Sequence, residues 1–407
     1  MSAIAIVVQR FGADVFGGAE AHARQTADSL RSSYAVDVLT TCARDYTRWE
    51  NHYAPGVTDE DGVRVHRFPV TGLRAPSFDL LSFAFYNVGA DENDERIWLE
   101  AQGPVAPGLL DHLGTHGDQY EAVIYYTYLY HPTVEGIRRA DKAAILVPTC
   151  HDEPPLRFDM YRGLFRRAKA LLFLTPEEQQ LVETRFAAEI SGTPRWVLGA
   201  PVAVPAGVPR RGDAPPAELA TAVPGFQLDR PFTTYVGRLD EGKGCGELIG
   251  FHLAGAEDGN GTGQLLLIGR HHMAVPEHPT LFAPGPMSEA CKWWALSNAA
   301  VTIVPSRMES LCLLALESWA VGTPALCVAG EVLKGHVLRS GAGLCYDSEA
   351  EFHLALALLL GDAELRATIG ARGRAYVNEN YSPERFDGVL RAAIGTVAGT
   401  TGGDNSR

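Results

Sequence analysis

The chain has 407 residues, more than one hydrophobic core usually covers, so two domains of roughly 150–200 residues each are expected. Its formal charge is −14, which excludes a general nucleic-acid binder, because such affinity comes mainly from clustered Lys and Arg. Apolar residues make up 46% and charged residues 21%, which is typical of a globular protein without long membrane spans.

The first half of the chain alternates strand and helix patterns. A glycine-rich loop separates the first strand from the first helix, and residues 71–118 lack clear periodicity, which predicts a long irregular insertion. The predicted strands are 4–8, 34–40, 63–68, 122–126, 144–148, 170–174 and 196–198, with helices over 19–31 and 157–169 and from 175.

A second alternation follows a segment rich in Pro, Gly and Ala, which we interpret as a linker over 201–231. Its predicted strands are 232–236, 264–268, 300–304 and 324–327, and its helices are 246–253, 288–297, 311–320, 348–361, 362–378 and one of about 381–395. The pattern predicts an α/β protein of two parallel-sheet, Rossmann-like domains, 1–200 and 232–380, facing a central cleft.

The segment 305–324 joins a predicted strand to a predicted helix that opens near Ser310. The backbone N–H groups of Ser310, Leu311 and Cys312 would lie at that helix start, where they suit a phosphate or a sugar hydroxyl. Glu309 would precede the helix and Glu317 would lie about 12 Å along it, so the two carboxylates could hold the two ends of a ligand. Taken singly, either acid could also be an ordinary solvated residue.

A second strand, ending at Gly237, runs into Arg238-Leu-Asp-Glu-Gly-Lys243-Gly. Arg binds phosphate bidentately and Lys adds a compact charge, so Arg238 and Lys243 could neutralise a diphosphate without a metal. Two surface cations on a loop are the alternative.

The loop after the first strand carries Gly17-Gly18, which would let the backbone approach an anion at a helix start. Its spacing is not G-x-G-x-x-G, which argues against an NAD-dependent dehydrogenase.

Two histidines follow predicted strand ends. His151 could contact a ligand, with Asp152 orienting it, or simply cap a turn. His131 ranks second, as an acceptor contact.

The segment 309–324 resembles the E-x7-E signature of retaining family-4 glycosyltransferases of GT-B fold, also called the glycosyltransferase group 1 type. The resemblance extends to Arg238 and Lys243, to the Gly17-Gly18 loop and to His151. Ser310 and Cys312 stand where that family often has glycines.

By that resemblance, Glu309 and His151 would contact the donor sugar, Glu317 the nucleotide ribose, and Phe282 the base, although Phe282 could equally be a core strand end. The N-terminal domain would hold the acceptor, and the helix at about 381–395 would pack back on it.

The resemblance implies a metal-independent hexosyltransferase of polysaccharide biosynthesis, using a nucleotide-diphosphate sugar as donor and no cofactor. The acceptor would be a glycan, a lipid-linked sugar or a small molecule. A GT-B-fold sugar-nucleotide epimerase and a non-catalytic sugar-nucleotide-binding protein remain alternatives.

Seven cysteines without a C-x-x-C pair favour a reducing compartment and give no support to a zinc site. The apolar N-terminal run is short and lacks a basic segment, so it predicts a strand rather than a signal peptide, and hence a cytoplasmic protein. The basic stretch 156–169 fits a solvated helix face or a weak peripheral contact with an anionic membrane.

Overall fold

The computed structural model describes residues 2–15, 17–257 and 263–401. These residues divide into two compact units. Unit 1 comprises the described residues up to Ala200 together with those from Phe386 onward, and unit 2 runs from Pro201 to Arg385.

Unit 1 is built on an eight-stranded sheet. The strands are β1 (Ala3–Val7), β2 (Ala35–Thr41), β3 (Gly56–Glu60), β4 (Val63–Phe68), β5 (Ala122–Tyr126), β6 (Ala144–Val147), β7 (Ala170–Phe173) and β8 (Arg195–Val197). The helices between them are α1 (Gly18–Leu30), α2 (Phe78–Val88), α3 (Glu92–Gln102), α4 (Pro107–His116), α5 (His131–Ile137), α6 (Met160–Arg167) and α7 (Pro176–Arg185).

Unit 2 is built on a six-stranded sheet. Its strands are β9 (Phe232–Val236), β10 (Gln264–Ile268), β11 (Leu281–Gly285), β12 (Val301–Val304), β13 (Ala325–Val328) and β14 (Gly343–Tyr346). The helices of this part of the chain are α8 (Ala217–Ala222), α9 (Cys245–Glu257), α10 (Glu289–Asn298), α11 (Leu313–Ala320), α12 (Glu331–Ser340), α13 (Glu349–Gly361), α14 (Ala363–Asn380) and α15 (Pro383–Thr401), which continues into unit 1.

Both sheets are doubly wound. The strand order is β3-β4-β2-β1-β5-β6-β7-β8 in unit 1 and β11-β10-β9-β12-β13-β14 in unit 2. All the pairings are parallel except that of β3 with β4. The order reverses between β1 and β5 and between β9 and β12, and in such sheets the loops at the carboxyl ends of the reversing strands are where ligands bind.

The central strands are buried along their whole length and mostly apolar because helices cover both faces of each sheet. Every residue of β5, β6 and β7 is buried, as is every residue of β10, β12 and β13. Continuous apolar runs of this kind are the signal from which the strands were predicted.

Residues 71–118 are not irregular, and that prediction is wrong: they contain α2, α3 and α4. Helix α3 begins with a capping box between Asp91 and Asp94, and it buries Trp98 in the core of unit 1. Helix α2 is apolar on almost every side, with Leu80 and Phe83 exposed, so it has no polar face to produce a helical period.

The last helix, α15, contacts α1 within unit 1. The ring of Phe386 lies edge-on to His22, 5.4 Å between centroids, and Ser29 donates a hydrogen bond to Asp387 at 3.0 Å.

Candidate functional site

In unit 2, the two loops at the strand reversal lie side by side. Strand β9 pairs with β12 in parallel, Val301 opposite Thr233 and Thr302 opposite Thr234, so their carboxyl ends lead into neighbouring loops. These are residues 237–244 after β9 and residues 305–312 after β12.

A salt bridge joins the two loops. Nζ of Lys243 lies 2.7 Å from Oε1 of Glu309, although the two residues are 66 positions apart in the chain. The Lys243 side chain is 31% exposed and that of Glu309 16%, so both remain accessible to a ligand. The structure therefore brings together two of the residues that the sequence analysis proposed for the donor.

The turn that carries Lys243 is held by its neighbours. Asp240 accepts a hydrogen bond from the Lys243 backbone N–H at 2.8 Å, which closes a short 3-10 helix over Glu241–Lys243. Gly244 follows with φ +72°, and a Cβ there would overlap the carbonyl oxygen of Pro305. Only glycine allows this close approach, which seats the loop after β9 on the loop after β12.

Arg238 lies in the same loop as Lys243. Its Nε is 3.4 Å from Oδ2 of Asp240, and about half of its side chain is exposed. Its carbonyl oxygen accepts a hydrogen bond from the hydroxyl of Tyr235 at 2.9 Å, which fixes the loop backbone. Asp240 was not among the predicted site residues. Its carboxylate contacts both cationic residues, the side chain of Arg238 and the backbone N–H of Lys243.

The predicted helix start at Ser310 is wrong, because α11 begins at Leu313. The residue before it, Cys312, has φ +66° in the left-handed region and so cannot be part of the helix. The N–H groups of Ser310, Leu311 and Cys312 therefore lie in the loop, and the estimated helical rise from Glu309 to Glu317 does not apply. Cys312 adopts a conformation natural to glycine, the residue that the resembling family often has here.

Glu317 has a counter-ion that the sequence analysis missed. Nζ of Lys292, on α10, lies 2.9 Å from Glu317 and 3.0 Å from Glu289. Burial raises the pKa of Glu317, and Lys292 opposes that shift. A carboxylate on the apolar helix α11 is thus explained by a half-buried lysine, and no sequence pattern indicates which lysine that is.

Phe282 lies in strand β11 rather than in a loop. Its ring is edge-on to Phe226, 5.1 Å between centroids, and packs against the core of unit 2. The structure shows the position in a core strand, and the contact of Phe282 with a nucleotide base stays a prediction.

In unit 1, the loop after β1 is built over a buried ion pair. Arg10 lies 2.5 Å from Glu20, which also accepts a hydrogen bond from Gln9 at 2.8 Å. Gly17 is the N-cap of α1, in an extended conformation, and a Cβ there would overlap the Glu20 carboxylate. Gly18 begins the helix with open space around it.

His151 follows β6, as predicted, but its partner is Glu153 and not Asp152. Nε2 of His151 lies 3.5 Å from Oε2 of Glu153, whose Oε1 accepts a hydrogen bond from the hydroxyl of Tyr128 at 2.7 Å. Asp152 is exposed at a bend between them. The carboxylate within reach of His151 is therefore the one at position 153.

The strand end that carries His151 is fixed by Glu178, a residue in the first turn of α7. The Glu178 carboxylate accepts hydrogen bonds from the backbone N–H groups of Cys150 at 2.8 Å and Leu174 at 2.7 Å. Burial raises the pKa of Glu178 to about 7, although those N–H groups lower it. It ties the loop before His151, where Thr149 has φ +53°, to the start of α7.

His131 is the first residue of α5 and is buried, 8% exposed. Burial lowers its pKa, so the neutral ring is favoured. Its Nδ1 has no hydrogen-bond partner in the part of the chain that the structure describes.

The described residues contain neither a metal-binding cluster nor a membrane-spanning helix. No group of three or more His, Cys, Asp or Glu side chains there is arranged to hold a metal ion. None of the helices among these residues combines the length and the apolar character that crossing a bilayer requires.

Comparison with known proteins finds a family that part of the chain resembles. Residues 280–376 match the model of the family described as "Glycosyl transferases group 1". A D-inositol 3-phosphate glycosyltransferase from Thermobispora bispora is 30% identical over 121 residues, which are 29% of this chain and 28% of that protein.

Solved structures match over nearly the whole chain. Sucrose-phosphate synthase from Thermosynechococcus elongatus superimposes with a TM-score of 0.71 at 18% identity, covering 98% of this chain and 100% of that one. The Anabaena protein Alr3699/HepE, in complex with UDP and glucose, gives 0.64 at 12% identity, covering 97% and 100%. The predicted GT-B fold and the predicted group 1 resemblance are both confirmed.

Proposed function

We propose that this chain, a group 1 glycosyltransferase homologue of GT-B fold, is a retaining, metal-independent hexosyltransferase that uses a nucleotide-diphosphate sugar. Unit 2 would hold the donor and unit 1 the acceptor. The matched relative and the synthases of similar fold are named for reactions of sugars or inositol phosphate, which supports a small-molecule or carbohydrate acceptor.

The observation that carries the proposal is the Lys243–Glu309 pair at the strand reversal of unit 2. It places one cation and one carboxylate, both accessible, on the two loops where a doubly wound sheet binds its ligand. A diphosphate needs cations and a sugar needs hydrogen-bond acceptors, so the pair offers one group for each part of the donor.

In the structure these two charges neutralise each other. We propose that the donor exchanges the partners: Lys243 and Arg238 turn to the diphosphate, and Glu309, released, accepts hydrogen bonds from sugar hydroxyls. As the bond to the sugar breaks, negative charge grows on the diphosphate, and two fixed cations stabilise that charge more than they stabilise the ground state.

Glu317 would hold the nucleotide ribose. Its pairing with Lys292 opposes the effect of burial and favours the ionised carboxylate, which can accept hydrogen bonds from the two ribose hydroxyls.

In unit 1, His151 would contact the donor sugar, with Glu153 orienting the ring. No protein nucleophile is required in this proposal. A donor phosphate oxygen takes the proton of the acceptor hydroxyl on the face from which the leaving group departs, so the anomeric configuration is retained.

A panel of nucleoside-diphosphate sugars tests the proposal first by thermal shift, since a ligand of the folded state stabilises it by mass action. The donor found is then assayed for acceptor-dependent release of nucleoside diphosphate, with and without EDTA. We expect Lys243→Ala and Arg238→Ala to lose most turnover, and Lys334→Ala, which removes an exposed lysine of α12 in the same unit, to retain it.

Three results would contradict the proposal. Conversion of the donor to a different sugar without any acceptor would indicate an epimerase. Donor binding without acceptor-dependent release would indicate a binding protein. Loss of turnover in EDTA, restored by a divalent cation, would overturn metal independence.

A further inference from the structure

A groove in unit 2 is lined by arginines and lies away from the donor loops. It encloses about 590 Å³ and is bounded by the segment 204–211, by the end of α11 and by α14. The charged residues that line it are Arg210, Arg211 and Arg374, and no Asp or Glu lines it. We call it the arginine groove.

The arginines of the groove lack acidic partners. No carboxylate among the described residues forms a salt bridge with these three side chains, and the Asp213 carboxylate instead accepts a hydrogen bond from the Arg210 backbone N–H. Partial burial and repulsion from Arg366 lower the pKa of Arg211. Three uncompensated cations in a chain of formal charge −14 are a local concentration of positive charge.

Helix capping explains part of this arrangement. Arg211 donates to the carbonyl oxygen of Ala299, the C-cap of α10, and Arg374 donates to that of Val321, the C-cap of α11. Each helix end carries about −0.5 of a charge, so two ends offset roughly one of the three positive charges. A guanidinium also has five N–H donors, of which these contacts use few.

The groove lies at the opposite edge of the sheet from the donor loops. Ala299 precedes β12 and Thr323, which accepts a hydrogen bond from Arg211, precedes β13, so the groove is at the amino ends of these strands. Lys243 and Glu309 lie beyond the carboxyl ends. Four residues of β12 separate the two edges by about 13 Å, at ~3.3 Å per residue.

We propose that the arginine groove binds a phosphorylated small molecule at a second site, distinct from the donor loops. An arginine guanidinium can donate two parallel hydrogen bonds to the oxygens of one phosphate. A volume of about 590 Å³ is that of a small-molecule pocket and exceeds what a lone phosphate fills. Val208, Pro209 and Val321 form an apolar wall for the carbon part of the ligand. The inference does not depend on the proposed transferase activity.

The test is a thermal-shift titration of the full chain with inorganic phosphate and with glycerol 3-phosphate, each against chloride at equal ionic strength. We expect a saturable rise in Tm, with glycerol 3-phosphate acting at lower concentration. Arg374→Gln and Arg211→Gln should each weaken the apparent affinity about tenfold or more, since each removes a charged hydrogen-bonding group. Lys243→Ala and Arg372→Gln, a neighbour on α14 outside the groove, should keep the wild-type affinity.

Each contrary result has a distinct meaning. Loss of the shift in Lys243→Ala would place the phosphate in the donor loops. A lower basal Tm in Arg374→Gln with unchanged phosphate affinity would leave the arginines as helix caps alone. Equal response to the two probes would overturn the assignment to an organic phosphate, and no response at matched ionic strength would overturn the site. Should Arg211→Gln fail to fold, the exposed Arg374 still decides the question.

Discussion

Replacing Glu309 with Gln should change donor binding and turnover in opposite directions. The substitution keeps the size of the side chain, but it removes the charge that lies 2.7 Å from Lys243 and replaces one acceptor oxygen with an NH2 donor. If the donor must displace Glu309 from Lys243, removing that charge frees the lysine for the diphosphate. The same change weakens the acceptor group offered to the sugar.

The sizes of the two effects follow from the exposure of the pair. Lys243 is 31% exposed and Glu309 16%, so their attraction is screened by solvent and contributes about 0.2–1 kcal/mol. Its loss should tighten the binding of nucleoside diphosphate about 1.5–5-fold. A hydrogen bond to a charged group is worth about 1.5–3 kcal/mol, so turnover should fall about 10–150-fold.

The measurement combines calorimetric titration of nucleoside diphosphate with steady-state transfer assays. Glu331→Gln, which neutralises an exposed acid at the start of α12, is the matched control and should leave both values unchanged. Weaker nucleotide binding in Glu309→Gln would show that the carboxylate positions Lys243 rather than competing for it. Wild-type turnover would remove Glu309 from the sugar contact altogether.

Three further predictions concern the rest of the site. Glu153→Gln should lower kcat with little change in Tm, because the ring of His151 loses the carboxylate that orients it; an unchanged kcat would refute this. Gly244→Ala should destabilise unit 2 by about 1 kcal/mol or more, measured by urea unfolding, because a side chain is disfavoured at φ +72° even before it meets its neighbours. Burial raises the pKa of Glu178 to about 7, so the stability that Glu178 contributes is complete below its unfolded pKa of about 4.5 and is lost as pH rises through 7. Burial lowers the pKa of His22 to about 4, so the stability that His22 contributes is lost as pH falls from 6.5 towards 4. Between these limits the two trends oppose each other, and Tm measured across pH should fall with acid more steeply in Glu178→Gln and less steeply in His22→Gln than in the wild type.

The doubly wound architecture could be predicted because its signal is local. Each central strand is a short apolar run bounded by turn residues, and the alternation with helices repeats twice along the chain. Helix α2 was not predicted because its Leu80 and Phe83 are apolar yet exposed. The helix therefore lacks the contrast between an apolar and a polar face from which a helical period is read.

The site residues that could be predicted are those fixed by the local sequence, and the ones that were missed depend on distant parts of the chain. Lys243 and Glu309 were found because each directly follows a strand of the reversal, where loop residues are brought together by the sheet itself. Lys292 and Glu153 were missed because their contacts depend on the rotation of α10 and on the path of a loop. The helix start at Ser310 was misplaced because nothing in the sequence marks Cys312 as left-handed.

Four of the predicted site residues, Lys243, Glu309, Glu317 and His151, share one property that no local pattern shows: each has a partner of opposite or complementary charge. Lys243 faces Glu309, Glu317 faces Lys292, and His151 faces Glu153. A half-buried charge left alone would be costly, so the chain supplies a counter-charge. Under the proposed function, donor binding would be an exchange of partners, and its free energy would be the difference between two sets of contacts. Because an exchange conserves the number of pairs, substitutions of one partner should alter specificity and rate more than they alter folding.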